Sequence, residues 1–250
     1  KPSIKPAHIG STYYLLNFND IQKEKEQLKS SADKVTVTTL NGKHLDCDFM
    51  RTISGLNNIY ALEFYGGNVY NDCTFEEMCT NDNFSRLGIL RMDVDNLGMI
   101  FQKGIAAERA TLSRYATLSR SLDYFFSGYL NCIQQEIAPQ KSTIIYSGGD
   151  DLFIVGGWDV TIQLADRIQS DFRAYTCGNP SFSLSGGIAL VTGKYPLIKA
   201  AAHSEEEERL AKSHHYEVAG KTFEKNSLSF FGTPLNWQAE YPQVESLMKT

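Results

Sequence analysis

Five consecutive residues carry the clearest chemical signal in the chain, namely Ser147, Gly148, Gly149, Asp150 and Asp151. The apolar runs on either side are typical of two strands joined by a tight turn. The two glycines can adopt the positive φ angles that a sharp chain reversal requires. Two carboxylates at such a tip repel each other by about 4 kcal/mol at roughly 4 Å and an effective dielectric of 20. A bound cation would turn this repulsion into attraction, although an acidic turn in solvent is the alternative interpretation.

A third carboxylate, Asp93, directly follows the apolar run 87–92, which predicts a strand buried on both faces. Together with Asp150 and Asp151 it would form an oxygen-rich site, to which the carbonyl of Val94 could add a ligand. Hard oxygen ligands select Mg²⁺ or Mn²⁺ over zinc. Two such ions roughly 3.5–4 Å apart can activate an attacking hydroxyl and clamp a triphosphate. The pattern therefore predicts nucleotidyl transfer, in which a ribose hydroxyl attacks an α-phosphate and pyrophosphate leaves.

Further residues could receive the phosphates of such a substrate. The backbone N–H groups of a turn before helical sequence could bind phosphate oxygens, and this turn comprises Asp95, Asn96, Leu97 and Gly98. Three later lysines could neutralise the phosphate tail, namely Lys212, Lys221 and Lys225. The sequence has no Gly-x-x-x-x-Gly-Lys motif, which argues against a P-loop hydrolase.

The elements that must position these groups follow the order β-α-β-β-α-β, which is the ferredoxin-like pattern. In that fold the first strand lies centrally, beside the hairpin of the second and third strands. The end of the first strand and the tip of the hairpin then meet at one edge of the sheet. Asp93 and Asp150 should therefore lie together although they are far apart in the sequence, and the fold class is α+β.

The element boundaries rest on hydrophobic spacing and on cap and turn signals. Apolar residues at three- and four-residue steps predict one long helix from Leu112 to Ile137. Asp159 is expected to cap the next helix, and Pro196 to lie in the first turn of a third. Residues 205–208, four glutamates, are interpreted as the solvated face of that third helix. The remaining expected elements are a hairpin at 143–156, helices at 159–174, 195–214 and 237–248, and strands at 182–191 and 227–231.

The first third of the chain predicts a small β-rich α+β unit. Residues 1–11 contain two prolines and a glycine and are expected to be irregular. Asn41-Gly42, between two strand-like runs, is a strong hairpin signal. The expected elements of this unit are strands at 13–18, 35–40, 43–50 and 59–65 and a helix at 21–28. The polar stretch 75–83 indicates a boundary.

Composition argues against several classes of function. The chain is 42% hydrophobic and 21% charged, which is typical of soluble globular proteins, and no apolar run approaches the roughly 18 residues of a membrane span. A net charge of −5 does not support nucleic-acid binding driven by bulk charge. The five cysteines include no Cys-x-x-Cys pair and fit reduced thiols in a cytoplasm, although Cys73 and Cys79 could pair or bind a metal.

Several motifs in this order resemble the large subunit of type III CRISPR effector complexes. They are similar to its palm polymerase/cyclase domain in the type III-A form. The matching segments are 86–98, 118–122, 146–156, 158–159, 185–188, 195–196, 211–212 and 225–227. The resemblance covers roughly residues 85–237 and is specific, because several motifs recur in the right order.

The resemblance implies a ferredoxin-like palm related to nucleotidyl cyclases. It also implies that cyclic oligoadenylate is made from ATP, with two Mg²⁺ or Mn²⁺ ions, when the complex binds target RNA. The implied partners are the other subunits of the complex, CRISPR RNA and target RNA, in the cytoplasm and without a membrane. The resemblance implies that Asp93, Asp150 and Asp151 are the metal ligands. It also implies that Lys212 and Lys225 contact phosphates. The implied base or nucleotide contacts are Ser147, Ser185, Gly148 and Gly149.

The same resemblance divides the chain into three parts. Residues 1–82 resemble the segment between the family's two palms, 83–232 the second palm, and 233–250 the start of a C-terminal helical domain. The family's histidine-aspartate nuclease domain and first palm have no counterpart in this sequence. Because two palms face each other across the nucleotides in that family, we expect that the isolated chain could be inactive.

Three other interpretations stay open. A diguanylate cyclase shares the hairpin but usually carries Gly-Gly-Asp/Glu-Glu-Phe, whereas Leu152 follows the two aspartates here. A template-copying polymerase would use the same palm, yet no fingers or thumb elements are recognisable in the sequence. A structural palm that only holds RNA and neighbouring proteins would be favoured by an eroded site, but all three carboxylates are present.

Overall fold

The computed structural model describes residues 5–8, 12–15, 35–40, 58–63, 73–79, 84–218 and 220–248. The chain divides into two units, Lys1–Phe64 and Tyr65–Thr250. Four strands make up the described part of the first unit, namely β1 (Lys5–His8), β2 (Thr12–Leu15), β3 (Val35–Leu40) and β4 (Asn58–Glu63). Strands β1 and β2 pair antiparallel, and β3 and β4 pair parallel.

The expectation that residues 1–11 are irregular is wrong for Lys5–His8, which is a strand that contains Pro6. Proline is tolerated there because both strands of a two-stranded sheet are edges. The strand expected at 59–65 is described as Asn58–Glu63. Three predictions lie outside the described residues, namely the Asn41-Gly42 turn, the strand at 43–50 and the helix at 21–28.

The second unit holds the elements that position the candidate site. In chain order they are α1 (Phe75–Met78), β5 (Leu87–Val94), α2 (Leu97–Lys103), a 3₁₀ turn (Ala107–Arg109), α3 (Leu112–Asp123), a π-helical segment (Tyr124–Tyr129), α4 (Leu130–Ile137), β6 (Ser142–Gly148), β7 (Asp151–Gly157), α5 (Trp158–Tyr175), β8 (Leu184–Val191), α6 (Leu197–Ser213), β9 (His215–Val218), β10 (Lys221–Glu224), β11 (Ser227–Phe230), β12 (Thr233–Asn236) and α7 (Tyr241–Met248).

Six strands form one sheet in the order β12-β11-β8-β5-β7-β6. Its part β8-β5-β7-β6 has the ferredoxin-like order, with the first strand β5 between the last strand and the hairpin, so the predicted topology is confirmed. Strand β11 lies parallel to β8, and β12 pairs antiparallel with β11. The sheet therefore continues beyond residue 232, where we expected the palm to end.

Side chains of β5 alternate between the two faces of the sheet. Leu90, Met92 and Val94 are buried in the main core, together with Phe125 and Phe126. The opposite face carries Ile89, in a second cluster that includes Ala200 of α6. Arg91 and Asp93 continue along this second face and meet the C-terminal part of α6. Helix α6 therefore covers the face on which the candidate carboxylate lies.

The helix expected from Leu112 to Ile137 is interrupted by the π-helical segment. That segment buries four consecutive residues, 125–128, which a stripe with a period of 3.6 would not do. Leu112, which we expected in the core, is 86% exposed. The expectation of one continuous apolar stripe is therefore wrong at both its start and its middle.

Several boundaries differ from the sequence-based expectations. The N-cap of α5 is Gly157, so Asp159 lies within the first turn, and Pro196 is the N-cap of α6. Residues 237–240 precede α7 as turns, and the β9–β10 hairpin was not predicted. Cys79 is buried with a free thiol, so it forms no disulfide with Cys73. In the parts of the chain with described coordinates, no helix is long and apolar enough to cross a membrane.

Candidate active site

Asp93 lies at the centre of the site because strand pairing brings both neighbouring strands to it. Its Cα partners are Asp151 on β7 and Ser185 on β8. Residues directly opposite on antiparallel strands face the same side, with Cβ atoms about 4.5–5.5 Å apart. The N–H of Val94 donates to the carbonyl of Asp150 at 3.1 Å, which ties the hairpin tip to the end of β5. The three predicted carboxylates thus share one edge of the sheet.

The hairpin tip depends on glycine at one position. Gly149 has a φ of 67°, in the left-handed region that favours glycine, and a Cβ there would meet no atom within 4 Å. Gly148 precedes it, and a Cβ on Gly148 would lie 3.4 Å from the Ser127 hydroxyl. The hydroxyl of Ser147 donates to the carbonyl of Phe126 at 2.9 Å. The predicted base-pocket serine is therefore buried and anchors the hairpin to the π-helical segment.

A β-bulge in β6 allows Ile144 to face the core while Tyr146 faces the carboxylates. Ile144 pairs with Ile154 in the main core, whereas Tyr146 pairs with Phe153 on the other face, so Ile145 is an extra residue. In a regular strand, side chains two positions apart share a face, so without a bulge Ile144 and Tyr146 could not lie on opposite faces. The Tyr146 hydroxyl donates instead to the carboxylate of Asp151. Burial and this hydrogen bond raise the pKa of the phenol.

Lys212, near the end of α6, reaches the same edge. Its ammonium pairs with Asp93 Oδ2, and lies 2.9 Å from Glu208 Oε1, one helical turn earlier. Arg91 Nε lies 3.5 Å from the other oxygen of Glu208. Burial of the ammonium lowers the pKa of Lys212 and is the largest single effect, but the hydrogen bonds to Asp93 and Glu208 and the negative charges of these two groups together outweigh it and raise the pKa.

Gly187 on β8 allows α6 to lie this close to the sheet. A Cβ on Gly187 would lie 2.2 Å from the backbone nitrogen of Glu208, closer than any side chain could tolerate. Gly187 is the Cα partner of Arg91, so the contact between helix and sheet falls beside the charged groups. The interpretation of residues 205–208 as a solvated face is therefore wrong for Glu208, whose side chain is only 13% exposed. It is also wrong for Glu207, whose carboxylate accepts hydrogen bonds from the Ser229 hydroxyl and the Gly232 N–H.

Asp95 is a buried structural group rather than an open phosphate-binding position. Its Oδ2 accepts hydrogen bonds from the Ser183 hydroxyl at 2.7 Å and from the N–H of Asn226 at 3.1 Å. Its own N–H donates to the carbonyl of Ser183 at 2.9 Å. Burial raises the pKa of the Asp95 carboxyl, although its hydrogen bonds oppose the shift. Asp95 thus joins the end of β5 to the segments before β8 and β11.

Lys225 is positioned through this buried carboxylate. Lys225 and Asn226 have φ angles of 65° and 50°, which non-glycine residues adopt only at a cost. The N–H of Asn226 is held by Asp95, and its carbonyl accepts from Asn236 Nδ2 at 2.8 Å. Lys225 Nζ donates to Asn96 Oδ1 at 2.5 Å. The lysine therefore lies next to the turn that was predicted to receive phosphates.

The other predicted residues are placed as follows. Leu97 and Gly98 lie in the first turn of α2, and a Cβ on Gly98 would meet no atom within 4 Å. Ser185 is fully buried beside Asp93. Lys221 is exposed on β10, where it pairs with Val218, and no contact with the carboxylates is seen among the described residues.

The three carboxylates repel one another, and the raised pKa of Asp150 at the hairpin tip reflects burial and this repulsion. Burial raises the pKa of Asp150, and the negative charges of Asp93 and Asp151 raise it further, while Lys212 opposes them. Within the described ranges, no group of three or more His, Cys, Asp or Glu side chains is arranged to hold a metal ion. Asp93 and Asp151 are instead turned to partners of their own, Lys212 and Tyr146.

The donor set nevertheless fits Mg²⁺ or Mn²⁺. All three side chains are hard oxygen donors, and an ammonium group already stands at Asp93, where a cation would bind. The carbonyl of Val94 points to the same side as its N–H, towards the hairpin tip. Displacement of Lys212 would free Asp93 for a metal ion.

A cleft of about 440 Å³ lies elsewhere, at the other end of β8. It is lined by Tyr195, His203, Glu207 and Phe231, among others, and by none of the predicted site residues. The carboxylate edge is therefore distinct from this cleft.

Sequence reasoning missed several residues that act on the carboxylates. The i, i+4 spacing of Glu208 and Lys212 was a signal for an ion pair on α6. Neither the role of Arg91 nor that of Tyr146 had a local signal, because strand pairing and the bulge set their neighbours.

Comparison with known proteins identifies the family. The family model described as Cas10/Cmr2, second palm domain, matches residues 86–221. A curated relative from Methanocaldococcus jannaschii, named CRISPR system single-strand-specific deoxyribonuclease Cas10/Csm1 (subtype III-A), is 40% identical over 168 residues. The match covers 62% of this chain and 21% of the relative, so the chain spans about a fifth of the relative's length.

Two solved structures are similar over most of the chain. A Csm1-Csm4 cassette in complex with AMPPNP has a TM-score of 0.58 and 27% identity, and covers 77% of this chain and 27% of that chain. A Csm1-Csm4 cassette in complex with cA3 has a TM-score of 0.60 and 26% identity, over 87% of this chain and 31% of that chain. The resemblance seen in the sequence motifs is thereby confirmed, and the chain belongs to the Cas10/Cmr2 second palm domain family.

Proposed function

We propose that this chain provides the nucleotidyl-transfer site with which a type III-A CRISPR effector complex makes cyclic oligoadenylate from ATP. The observation that carries this proposal is the pairing of Asp93 with Asp151 at the edge that Lys212 reaches. The AMPPNP and cA3 complexes of similar cassettes support an adenine nucleotide as the substrate. The partners that follow are the other subunits, CRISPR RNA and target RNA, and the compartment is the cytoplasm.

Asp93, Asp150 and Asp151, with the carbonyl of Val94, would hold two Mg²⁺ or Mn²⁺ ions. When bound, such ions activate the attacking ribose hydroxyl and neutralise the α-phosphate. The backbone N–H groups at the start of α2 would orient phosphate oxygens. Lys212, released from Asp93, would neutralise the triphosphate, and Lys225 would do so beside Asn96.

The first test is a calorimetric titration of the chain with Mn²⁺ and AMPPNP. We expect saturable binding that is lost in the Asp150→Asn, Asp151→Asn double variant, while its melting temperature is not lowered. EDTA should abolish binding, and Mn²⁺ or Mg²⁺ should restore it. Restoration by Zn²⁺ alone would contradict the hard-oxygen site, and preference for a guanine nucleotide would favour a diguanylate cyclase.

The same titration also tests the structural alternative. In the described structure the three carboxylates do not converge on one point. This arrangement is compatible with a palm that is not catalytic and only holds RNA and neighbouring proteins. Absence of binding by the folded chain, repeated in the assembled effector complex, would support that alternative. Binding in the complex alone would mean that a second palm completes the pocket.

A further inference from the structure

Lys212 is held by two carboxylates of different kinds. Asp93 lies at the end of β5, and the proposed function assigns it to a metal ion. Glu208 lies on α6 itself, one turn before Lys212, with its Oε1 2.9 Å from the ammonium nitrogen. The two contacts are on different elements, so one can break while the other persists.

Glu208 is also fixed independently of Asp93. Its Oε2 lies 3.5 Å from Arg91 Nε, and Arg91 stands two residues before Asp93 on the same face of β5. Its backbone nitrogen lies over Gly187, where no side chain would fit. Its side chain is 13% exposed, whereas that of Lys212 is 30% exposed. Glu208 is therefore the better-fixed member of the pair.

A divalent cation at Asp93 would repel the ammonium of Lys212. The lysine side chain is flexible and strongly hydrated, so without a second acceptor it would turn to solvent. Charge-assisted hydrogen bonds are among the stronger polar contacts in proteins. Glu208 lies one helical turn before Lys212 on α6. Its contact with the ammonium would keep that group within reach of the edge where a triphosphate would lie.

From these contacts we propose that Glu208 is a positioning residue, which keeps Lys212 at the carboxylate edge after a metal ion has taken Asp93. This inference rests on the proposed function, because it supposes a metal ion at Asp93 and a phosphate at Lys212. In this arrangement the carboxylate of Glu208 lies on the phosphate side of the site but contacts neither the metal ion nor the nucleotide.

The chain offers a matched control in Glu205. Both Glu205 and Glu208 lie on α6 and contact Arg91, at 3.6 Å and 3.5 Å. The side chain of Glu205 is 57% exposed, and it forms an ion pair with Arg91 rather than with Lys212. Glu205→Gln and Glu208→Gln remove the same charge from the same helix, and only the second removes a partner of Lys212.

The experiment is calorimetric titration of the chain and its variants, first with Mn²⁺ alone and then with AMPPNP at saturating Mn²⁺. We expect Glu208→Gln to weaken AMPPNP binding about tenfold, the loss typical of one charge-assisted hydrogen bond. Its affinity for Mn²⁺ alone should stay within about twofold of the unmodified chain, as should both affinities of Glu205→Gln. In a Lys212→Met background, Glu208→Gln should have no further effect, because the two residues act as one unit.

Three outcomes would overturn the inference. They are equal effects of Glu205→Gln and Glu208→Gln, a loss of Mn²⁺ affinity as large as the loss of AMPPNP affinity, and a full effect of Glu208→Gln in the Lys212→Met chain. If Glu208→Gln melts below the assay temperature, Glu208→Asp keeps the charge but withdraws it by one methylene, and the same comparison applies. Failure of the unmodified chain and complex to bind Mn²⁺ and AMPPNP would instead overturn the proposed function, and this inference with it.

Discussion

Asp93 and Asp151 lie opposite each other on β5 and β7, and each carboxylate has a partner other than its neighbour. Lys212 pairs with Asp93, and Tyr146 donates to Asp151. Asp150, at the turn between β6 and β7, is the carboxylate whose pKa its neighbours raise. Two of the three acidic positions of this edge therefore have a polar partner, and Asp150 is the position at which removal of the charge should relieve repulsion.

Asp150→Asn should raise the melting temperature of the metal-free chain at pH 7. Burial and the charges of Asp93 and Asp151 raise the pKa of Asp150 in the folded state. A raised pKa means that the folded state favours protonated Asp150. Protonation of Asp150 therefore contributes to stability below the unfolded-state pKa of about 3.9, and this contribution is lost as the pH rises through the folded-state pKa.

The measurement is thermal unfolding in EDTA between pH 3 and pH 8. The difference between Asp150→Asn and the unmodified chain should shrink towards low pH. Glu217→Gln, at an exposed position of β9, is the control and should change little across this range. A lower melting temperature for Asp150→Asn at pH 7 would contradict the repulsion described for the hairpin tip.

Asp95→Ala should lower the free energy of unfolding by about 1–3 kcal/mol, because it removes the acceptor for two hydrogen-bond donors. Ser183→Ala removes only one of these contacts and should cost about 0.5–1.5 kcal/mol. Denaturant unfolding of both variants measures the difference. Unchanged stability of Asp95→Ala would contradict the structural role of this carboxylate.

Ser147→Ala should also act on stability before it acts on a nucleotide. The Ser147 hydroxyl donates to the carbonyl of Phe126, and loss of this hydrogen bond should lower the free energy of unfolding by about 0.5–1.5 kcal/mol. Ser119→Ala, at an exposed position of α3, is the control and should be nearly neutral. Unchanged stability together with weaker AMPPNP binding would instead support the predicted role of Ser147 in the base pocket.

Gly187→Ala should cost about 1–3 kcal/mol or more, because the added methyl group would overlap the backbone of α6. The shift of α6 should also move Lys212 from Asp93, so Mn²⁺ affinity of the variant should change together with stability. Gly98→Ala is the contrasting substitution, since its site is open and alanine favours the helix by up to about 1 kcal/mol. Equal stability of the two variants would show that α6 can yield without cost.

Local patterns were sufficient for the ferredoxin-like part of the second unit, in the strand order β8-β5-β7-β6. The order of apolar runs and helical stretches predicted where β5 lies and that Asp93 would meet the hairpin. Two glycines and two aspartates between strand-like runs predicted the turn itself. These signals are short-range, and the ferredoxin-like pattern converts them into one long-range contact.

Other features depend on contacts that no local pattern encodes. The burial of Asp95 follows from Ser183 and Asn226, which reach it from distant segments. The π-helical segment replaces the 3.6-residue period where it packs beneath the hairpin, so the stripe from Leu112 was misjudged. Glu208 belongs to a run of four glutamates that indicates solvent exposure, and only the contact with the glycine on β8 shows that Glu207 and Glu208 are covered.

The bulge at Ile145 separates two parts of β6 that can vary independently in related chains. The pairs Tyr146–Phe153, Ser147–Leu152 and Gly148–Asp151 run in unbroken register to the turn, and Ile144 pairs with Ile154 on the other side of the extra residue. A related chain that keeps the Gly-Gly-Asp-Asp turn but lacks the extra residue would therefore still present the residue before Ser147 to Asp151. Comparison of such sequences should count back from the turn to find the site residue, and should allow one inserted position before the core residue.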